Sequence, residues 1–145
     1  MDRILIVDDE FLIRYTLEGG LKDRGYDAYS AATVEEGLEF VRKYHPGVLL
    51  LDNLLENSVG MDEIVNFKNA DEELQVIMMT AYGSVSQAVE ATKRGAYDYI
   101  LKPFDVDEID MLIKRCLEQK RNRDSLVFLK GDVRQFLGVS EAAAR

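Results

Sequence analysis

The chain has 145 residues but only one cysteine, Cys116, and one histidine, His45. A single cysteine excludes an internal disulfide, and Cys116 falls on the apolar stripe of a predicted helix, so we expect a buried structural thiol. His45 stands directly before Pro46, in a predicted loop, where we expect a solvated side chain. It therefore gives no support to a serine or cysteine nucleophile that a histidine activates.

Long apolar segments are also missing. No stretch approaches the roughly 18 apolar residues of a membrane-spanning helix, and the amino terminus, MDRILIVDDE, carries acids where a secretory signal would be apolar. We therefore expect a cytoplasmic protein with no membrane partner. Apolar residues make up 47% of the chain and charged residues 31%, a balance typical of a folded globular domain.

The net charge of −9 is unevenly distributed along the chain. Residues 1–111 carry 23 acids and 10 bases, whereas residues 112–145 carry 4 acids and 8 bases. The acidic part would repel a phosphate backbone, and the basic tail is too short and too mixed in sign to reverse this. We expect no direct nucleic acid contact by this chain.

Short apolar runs alternate with helical patterns along most of the chain. The runs predict strands at Arg3–Val7, Asp27–Ala31, 48–51, 75–79 and 97–101. The patterns predict helices at 10–24, 34–45, 61–69, 84–95 and 109–117. Strands that alternate with helices indicate an α/β fold, in which helices cover both faces of a parallel sheet.

Two of these helices carry apolar residues at helical spacing. In the first helix they include Leu12, Tyr15 and Leu21, and in the fourth they include Val85 and Val89. In the fourth helix, Val85 and Val89 share one face with Ala88 and Thr92.

Polar residues directly follow four of the five predicted strands. They are Asp8, Asp9 and Glu10 after the first strand, Asp52 after the third, Thr80 after the fourth and Lys102 after the fifth. The carboxyl ends of parallel strands meet at one edge of the sheet, where open α/β sheets bind ligands. We therefore expect these side chains to share one site.

The residue types at this edge indicate a chemistry. Clustered carboxylates repel one another unless a cation neutralises them. An oxygen-only set with few protein ligands suits Mg²⁺, which keeps several waters and binds phosphate oxygens. A carboxylate beside Mg²⁺ can attack a phosphoryl group, while a lysine and a hydroxyl stabilise the transferred oxygens. The pattern predicts a phosphoacceptor site.

Two other functions stay open on these residues. A Mg²⁺-dependent phosphohydrolase with an aspartate nucleophile would need a second acid two residues after the nucleophile, where this chain has Leu54. A flavin- or nucleotide-binding module would need a loop after the first strand that holds phosphate, where this chain has Asp8, Asp9 and Glu10.

Four segments resemble the response-regulator receiver domain: ILIVDDE, VLLLD with Gly60 eight residues after the aspartate, MMTAYGS and GAYDYILKPF. The resemblance implies a flavodoxin-like (βα)5 three-layer sandwich with the parallel sheet order 2-1-3-4-5. It also implies a receiver domain over residues 1–120 and, over residues 121–145, a linker toward a missing output domain.

The resemblance assigns roles at the acidic end of the site. It makes Asp52 the phosphoacceptor and a ligand of Mg²⁺, Asp9 a direct ligand and Asp8 a ligand largely through water, with the backbone carbonyl of Leu54 as a further ligand. Glu56 stands where proline is usual in the family. Its carboxylate would tighten the cation, repel the phosphoryl donor or point to solvent, and the sequence leaves all three open.

The resemblance also assigns the switch. Lys102 matches the lysine that pairs with the phosphoryl group, and the bond from Lys102 to Pro103 resembles the family's cis peptide. Thr80 and Tyr99 match the switch hydroxyl and the switch aromatic residue, which change position after phosphorylation.

Leu54 and Tyr82 occupy positions that tune hydrolysis of the acyl phosphate in the family. Both side chains are bulky, and neither positions water as a short polar side chain does. We predict slow autodephosphorylation, which Tyr82→Asn should accelerate. The half-life of the phosphorylated chain after donor removal measures this, and an unchanged half-life in the variant would refute the interpretation.

The segment TAYGSVSQAVEATKRGAYDYILKPF resembles receivers of sigma-54-dependent, nitrogen-regulator-like transcription activators, and FLGVSEAAAR resembles the start of their AAA+ ATPase domain. The resemblance implies a cognate histidine kinase as partner and a transcriptional output. It also implies a homodimer through the fourth helix, the fifth strand and the fifth helix.

Overall fold

Short parallel strands form one twisted layer at the centre of the molecule. In the described part of the chain they are β1 (Arg3–Val7), β2 (Asp27–Ala31), β3 (Val48–Asp52), β4 (Gln75–Thr80) and β5 (Asp98–Leu101), in the spatial order β2-β1-β3-β4-β5. The structure is a computed structural model that describes residues 2–55, 58–81 and 84–137, with residues 123–137 as backbone only. The predicted strand order is confirmed.

Helices connect the strands and cover both faces of the sheet. They are α1 (Phe11–Asp23), α2 (Val34–Tyr44), α3 (Gly60–Ala70), α4 (Val85–Lys93) and α5 (Val106–Leu137). One core cluster joins the sheet to α1 and α5, and a second joins it to α2, α3 and α4. This is the three-layer α/β sandwich that the sequence predicts.

The central strands are apolar on both sides because helices cover both of their faces. Residues 4–7 and 48–51 are all 0% exposed. Ile4 and Ile6 belong to the cluster with α1 and α5, whereas Leu5 and Val7 belong to the other, as the two-residue period of a strand requires. These buried strands fix the positions of the polar residues that follow them at the edge of the sheet.

Two of the three apolar residues named above for α1 lie in solvent. Leu12 is 73% exposed and Tyr15 is 69% exposed, whereas Leu21 is buried. The buried side of α1 is formed by Leu17 and Leu21, with Ile13 partly buried against the same cluster. Because these three residues are four apart, they share one helical face, and Leu12 and Tyr15 lie away from it.

The predicted apolar face of α4 also lies in solvent. Val85 is 83% exposed and Val89 is 48% exposed, and Ala91 is the residue of this helix that is buried. The N-terminus of α4 is capped by Ser84, whose hydroxyl accepts a hydrogen bond from the Gln87 amide at 3.1 Å. The described part of α4 therefore buries one small residue rather than a large apolar face, and Arg94 at its C-terminal end pairs with Asp62 of α3 at 2.7 Å.

The fifth helix is much longer than predicted. It runs to Leu137, through the expected boundary at residue 120, so no helix end marks that boundary and the division into domain and linker stays a prediction. Its first turns are anchored by buried Ile109 and Ile113. The Tyr26 hydroxyl donates a buried hydrogen bond of 2.6 Å to Asp110.

Cys116 and His45 lie where the sequence places them. Cys116 is fully buried on α5, and burial raises the pKa of its thiol to about 11. His45 ends α2 in the left-handed backbone region, and its side chain is 64% exposed. Within the described residues, none of the helices is both long and apolar enough to cross a membrane.

Candidate functional site

Backbone hydrogen bonds align the strand ends at one edge of the sheet. The amide of Asp8 donates to the carbonyl of Ala31 at 3.2 Å, and the amide of Asn53 donates to that of Met79 at 2.9 Å. The amide of Lys102 donates to the carbonyl of Thr80 at 2.7 Å. Residues that are far apart in sequence therefore leave the sheet at the same edge.

Three carboxylates meet at this edge, as the sequence predicts. Asp8, Asp9 and Asp52 each place an oxygen within 4.8 Å of the others. Asp8 is 0% exposed and Asp52 is 4% exposed, while Asp9 is half-buried. The backbone around Asp8 is also fixed, because its carboxylate accepts from the Glu10 amide at 2.9 Å and its carbonyl accepts from the Arg14 guanidinium at 2.7 Å.

The ammonium group of Lys102 lies among these acids. Its Nζ is 3.0 Å from Asp8 Oδ2, 3.2 Å from Asp52 Oδ1 and 3.9 Å from Glu10 Oε1. Burial lowers the pKa of Lys102, but the hydrogen bonds and charges of Asp8 and Asp52 outweigh burial and raise it overall. The lysine is therefore a fixed positive charge at neutral pH. The peptide bond from Lys102 to Pro103 is cis, as predicted.

One lysine does not neutralise the carboxylates around it. Burial, followed by the charge of Asp8, raises the pKa of Asp52 to about 6, although Lys102 and a hydrogen bond from the Leu54 amide lower it. Ionised Asp52 is therefore destabilised in the protein without a further cation. Oxygen ligands with an excess of negative charge suit a hard divalent ion such as Mg²⁺.

The raised pKa of Asp52 predicts a pH-dependent stability effect. In a group whose folded pKa lies above its ordinary value of 3.8, ionisation opposes folding above the folded pKa and has no effect below the ordinary value. In EDTA, Asp52→Asn should raise the free energy of unfolding by up to about 3 kcal/mol at about pH 7.5 and by roughly half as much at about pH 5. Urea denaturation at both pH values measures this.

Asp110 supplies the control with the opposite sign. Burial raises its pKa, but the hydrogen bonds of Tyr26 and Lys114, with the charges of Lys114 and Arg24, lower it overall. Ionised Asp110 therefore stabilises the fold, and Asp110→Asn should lower the free energy of unfolding at neutral pH. If Asp52→Asn lowers the free energy of unfolding as Asp110→Asn does, the electrostatic account of Asp52 is wrong.

Thr80 and Tyr99 are brought together on one side of the pocket. Thr80 ends β4 and is 5% exposed, and Tyr99 lies half-buried on neighbouring β5, beside Met78 in the sheet register. Both residues line a small cavity that Gln87 and Ala91 of α4 close. A change in the position of Thr80 would therefore change the space available to Tyr99 and to α4.

The remaining predicted residues are placed less fully. The Leu54 amide bonds Asp52, and the Leu54 side chain is exposed, while the role of its carbonyl stays a prediction. Glu56 and Tyr82 lie outside the described residues. The sequence did not predict the roles of Arg14 and Asn53. The Arg14 side chain bonds the Asp8 carbonyl and the Asn53 side chain bonds the Met61 amide, and no sequence pattern marks such contacts between a side chain and a distant backbone group.

The comparison with protein families agrees with this geometry. Residues 4–114 match the model of the response regulator receiver domain. The chain belongs to this family. Receiver domains of this family are signalling domains of two-component systems. The acidic pocket formed by Asp8, Asp9 and Asp52 therefore lies in a receiver domain, as the sequence predicts.

Two curated relatives show how much of a protein the chain spans. Sporulation initiation phosphotransferase F of Bacillus subtilis (strain 168) is 37% identical over 121 residues, which are 83% of this chain and 98% of that protein. Regulatory protein AtoC of Escherichia coli (strain K12) is 36% identical over 118 residues, which are 81% of this chain but only 26% of AtoC. This receiver therefore matches a complete small protein in one case and a part of a larger regulator in the other.

A solved structure supports the same assignment. The beryllofluoride-activated NtrC4 receiver domain dimer has a TM-score of 0.78 and 34% identity to this chain, and the match covers 83% of this chain and 99% of that one. Relatives of the AtoC and NtrC type confirm the predicted resemblance to receivers of sigma-54 activators.

Proposed function

We propose that this receiver accepts a phosphoryl group from a histidine kinase on Asp52, with Mg²⁺ bound, and that the modification alters the α4, β5 and α5 face to control dimerisation and a transcriptional output. The supporting observation is the pocket itself, in which Asp52 lies 3.2 Å from the Lys102 ammonium and within 4.8 Å of Asp8 and Asp9. The proposal includes a cytoplasmic location and no direct nucleic acid contact by this chain.

In the proposed reaction, a carboxylate oxygen of Asp52 attacks the phosphorus atom of a phosphohistidine. The new P–O bond forms as the P–N bond breaks, and the imidazole leaves with the electron pair and takes a proton from solvent. Lys102 lies 3.2 Å from the attacking carboxylate, so a small movement takes its ammonium onto a phosphoryl oxygen. Thr80, buried at the end of β4, would donate to another oxygen.

Asp8, Asp9 and Asp52, with the Leu54 carbonyl, are the groups that would hold Mg²⁺. When bound, this ion would offset the carboxylate charges and bind phosphoryl oxygens. The donors fit a hard cation because they are oxygens that the folded chain already holds together. The later loss of the phosphoryl group to water, tuned by Leu54 and Tyr82, belongs to the same proposal.

The proposed output face carries exposed apolar side chains that have no partner among the described residues. Val85 and Val89 on α4, Leu101 on β5 and Met111 on α5 are between 47% and 83% exposed. Because α4 buries only Ala91 and borders the cavity shared by Thr80 and Tyr99, it is the element that phosphorylation would shift most easily. A second copy of the chain would cover this face.

The proposed kinase contact lies on α1, next to the acids. Phe11, Leu12 and Tyr15 are 64%, 73% and 69% exposed, and the rings of Phe11 and Tyr15 stack at 5.9 Å. A donor that reaches Asp52 must cross this edge. Leu12→Ser should therefore slow phosphotransfer from a histidine kinase that modifies the wild-type chain, and it should leave phosphorylation by acetyl phosphate unchanged. If Leu12→Ser slows phosphorylation by both donors equally, this assignment of the kinase contact is wrong.

The deciding experiment incubates the chain with acetyl phosphate and Mg²⁺ and measures its intact mass. We expect one added phosphoryl group, which is lost in Asp52→Asn and in the presence of EDTA. Fluoroberyllate with Mg²⁺ should increase the sedimentation coefficient as dimers form. An unmodified wild-type chain would overturn the proposal. Turnover of p-nitrophenyl phosphate would favour the phosphohydrolase instead, and bound flavin absorbance would favour the flavin-binding module.

A further inference from the structure

The first turn of α3 is capped from another part of the chain. Val59, which occupies the N-cap position, makes no side-chain capping bond. Instead, the side-chain oxygen of Asn53 accepts from the Met61 amide at 3.1 Å, and the Asn53 carbonyl accepts from the Gly60 amide at 2.7 Å. Two of the amide groups that a helix start leaves free are thus satisfied by the residue that follows Asp52.

This contact closes the base of the loop between β3 and α3. Leu54 and Val59 form an isolated antiparallel bridge, and Leu55 and Ser58 exchange backbone hydrogen bonds of 3.0 and 3.4 Å. The loop begins with Leu54, whose amide bonds Asp52. Asn53 therefore ties the two ends of the loop that carries Leu54 past the acidic pocket.

We propose that Asn53 is a positioning residue of the metal site. Its side-chain amide holds the start of α3 against β3, and this fixes the loop so that the Leu54 carbonyl is presented to the cation. The inference rests on the proposed function, since it assumes a divalent ion beside Asp52. A helix that needed only a cap would be served by a serine or aspartate at position 59, but such a cap would not tie α3 to the phosphoacceptor strand.

The test compares two variants with the wild-type chain. Asn53→Leu preserves the size of the side chain and removes the hydrogen bond to the Met61 amide. Adding Val59→Ser supplies a local cap, which suits the extended backbone of Val59, with φ −98° and ψ 122°. Mg²⁺ affinity is read from the amide NMR shifts of residues 52–55 during titration with Mg²⁺, and stability is read from urea denaturation in EDTA.

We expect Asn53→Leu to weaken Mg²⁺ binding about tenfold, the scale of lost outer-shell contacts at metal sites. The double variant should recover the stability of the wild-type chain but keep the weakened affinity. Recovery of both quantities would show that Asn53 only caps the helix, and unchanged affinity in Asn53→Leu would also overturn the inference. A wild-type chain that binds no Mg²⁺ would instead refute the proposed function, which keeps the two failures distinct.

Discussion

Replacing Gly60 by alanine is expected to lower the free energy of unfolding by about 3 kcal/mol, the upper range for overpacked sites. A Cβ at this position would lie 2.1 Å from the carbonyl oxygen of Asp52 and 3.0 Å from the Asn53 Cα. These neighbours are backbone atoms of a buried strand end, so no side-chain rotation relieves the contact. The start of α3 must move away from β3, and the 2.7 Å hydrogen bond between Gly60 and Asn53 is lost.

Gly19 provides a matched control for this substitution. It also lies within a helix, α1, but a Cβ there would meet nothing within 4 Å. Gly19→Ala should therefore raise the free energy of unfolding by about 0.5–1 kcal/mol, since alanine has the higher helix propensity. Urea denaturation of both variants measures the contrast. A Gly60→Ala chain as stable as the wild type would show that α3 does not press on the phosphoacceptor strand.

The same substitution should impair phosphorylation in the molecules that stay folded. The clash falls on the backbone of Asp52 itself, so any part of the strain that the movement of α3 leaves unrelieved shifts the carboxylate, which lies 3.2 Å from Lys102. Misplacement by about 1 Å is enough to cost a large factor in rate. The acetyl phosphate reaction, followed by intact mass under conditions where the variant is folded, separates this effect from the loss of stability.

The position of the site was predictable from the sequence because it depends on strand ends alone. Asp8 and Asp52 directly follow apolar runs that are too short for helices and that are buried on both sides. In a parallel sheet such residues must leave at the same edge. The strand order of the sheet, by contrast, was predicted only from the family resemblance, which places β2 at the edge of the sheet, next to β1.

The helix faces were less predictable, and α1 shows the reason. It carries Ile13, Leu17 and Leu21 on one side, and exposed Leu12 and Tyr15 on another. A helical pattern cannot tell which of two apolar sides meets the sheet, because contact with other elements decides it. The exposed side follows the acids, where the proposed kinase contact lies.

Contacts between distant residues were beyond the sequence altogether. Asn53 caps a helix that begins seven residues later, whereas the usual signal for a cap is a polar residue at the helix start. The length of α5 was also missed, since the stretch from Lys120 to Ser125 has no apolar residues to mark a face.

Replacing Lys102 by methionine is expected to slow phosphorylation by acetyl phosphate at least about 100-fold, the scale of losing one preorganised charge at a reacting group. The ammonium lies 3.0 Å from Asp8 and 3.2 Å from Asp52, so it is held where charge builds up on the phosphoryl oxygens. Methionine fills a similar volume without the charge. The initial rate of mass increase in Mg²⁺ measures the effect.

The same variant should lose stability in EDTA and regain part of it in Mg²⁺. Asp8 is fully buried and Asp52 nearly so, and removal of the partner of buried charges costs about 3 kcal/mol or more. The loss should shrink as pH falls toward about 5, because one carboxylate then takes up a proton. Lys102→Arg retains the charge, and its stability in EDTA should lie between those of the wild-type chain and Lys102→Met. If the methionine variant reacts at the wild-type rate, the phosphoryl group is not stabilised by this lysine, and the arrangement of the acidic pocket needs another explanation.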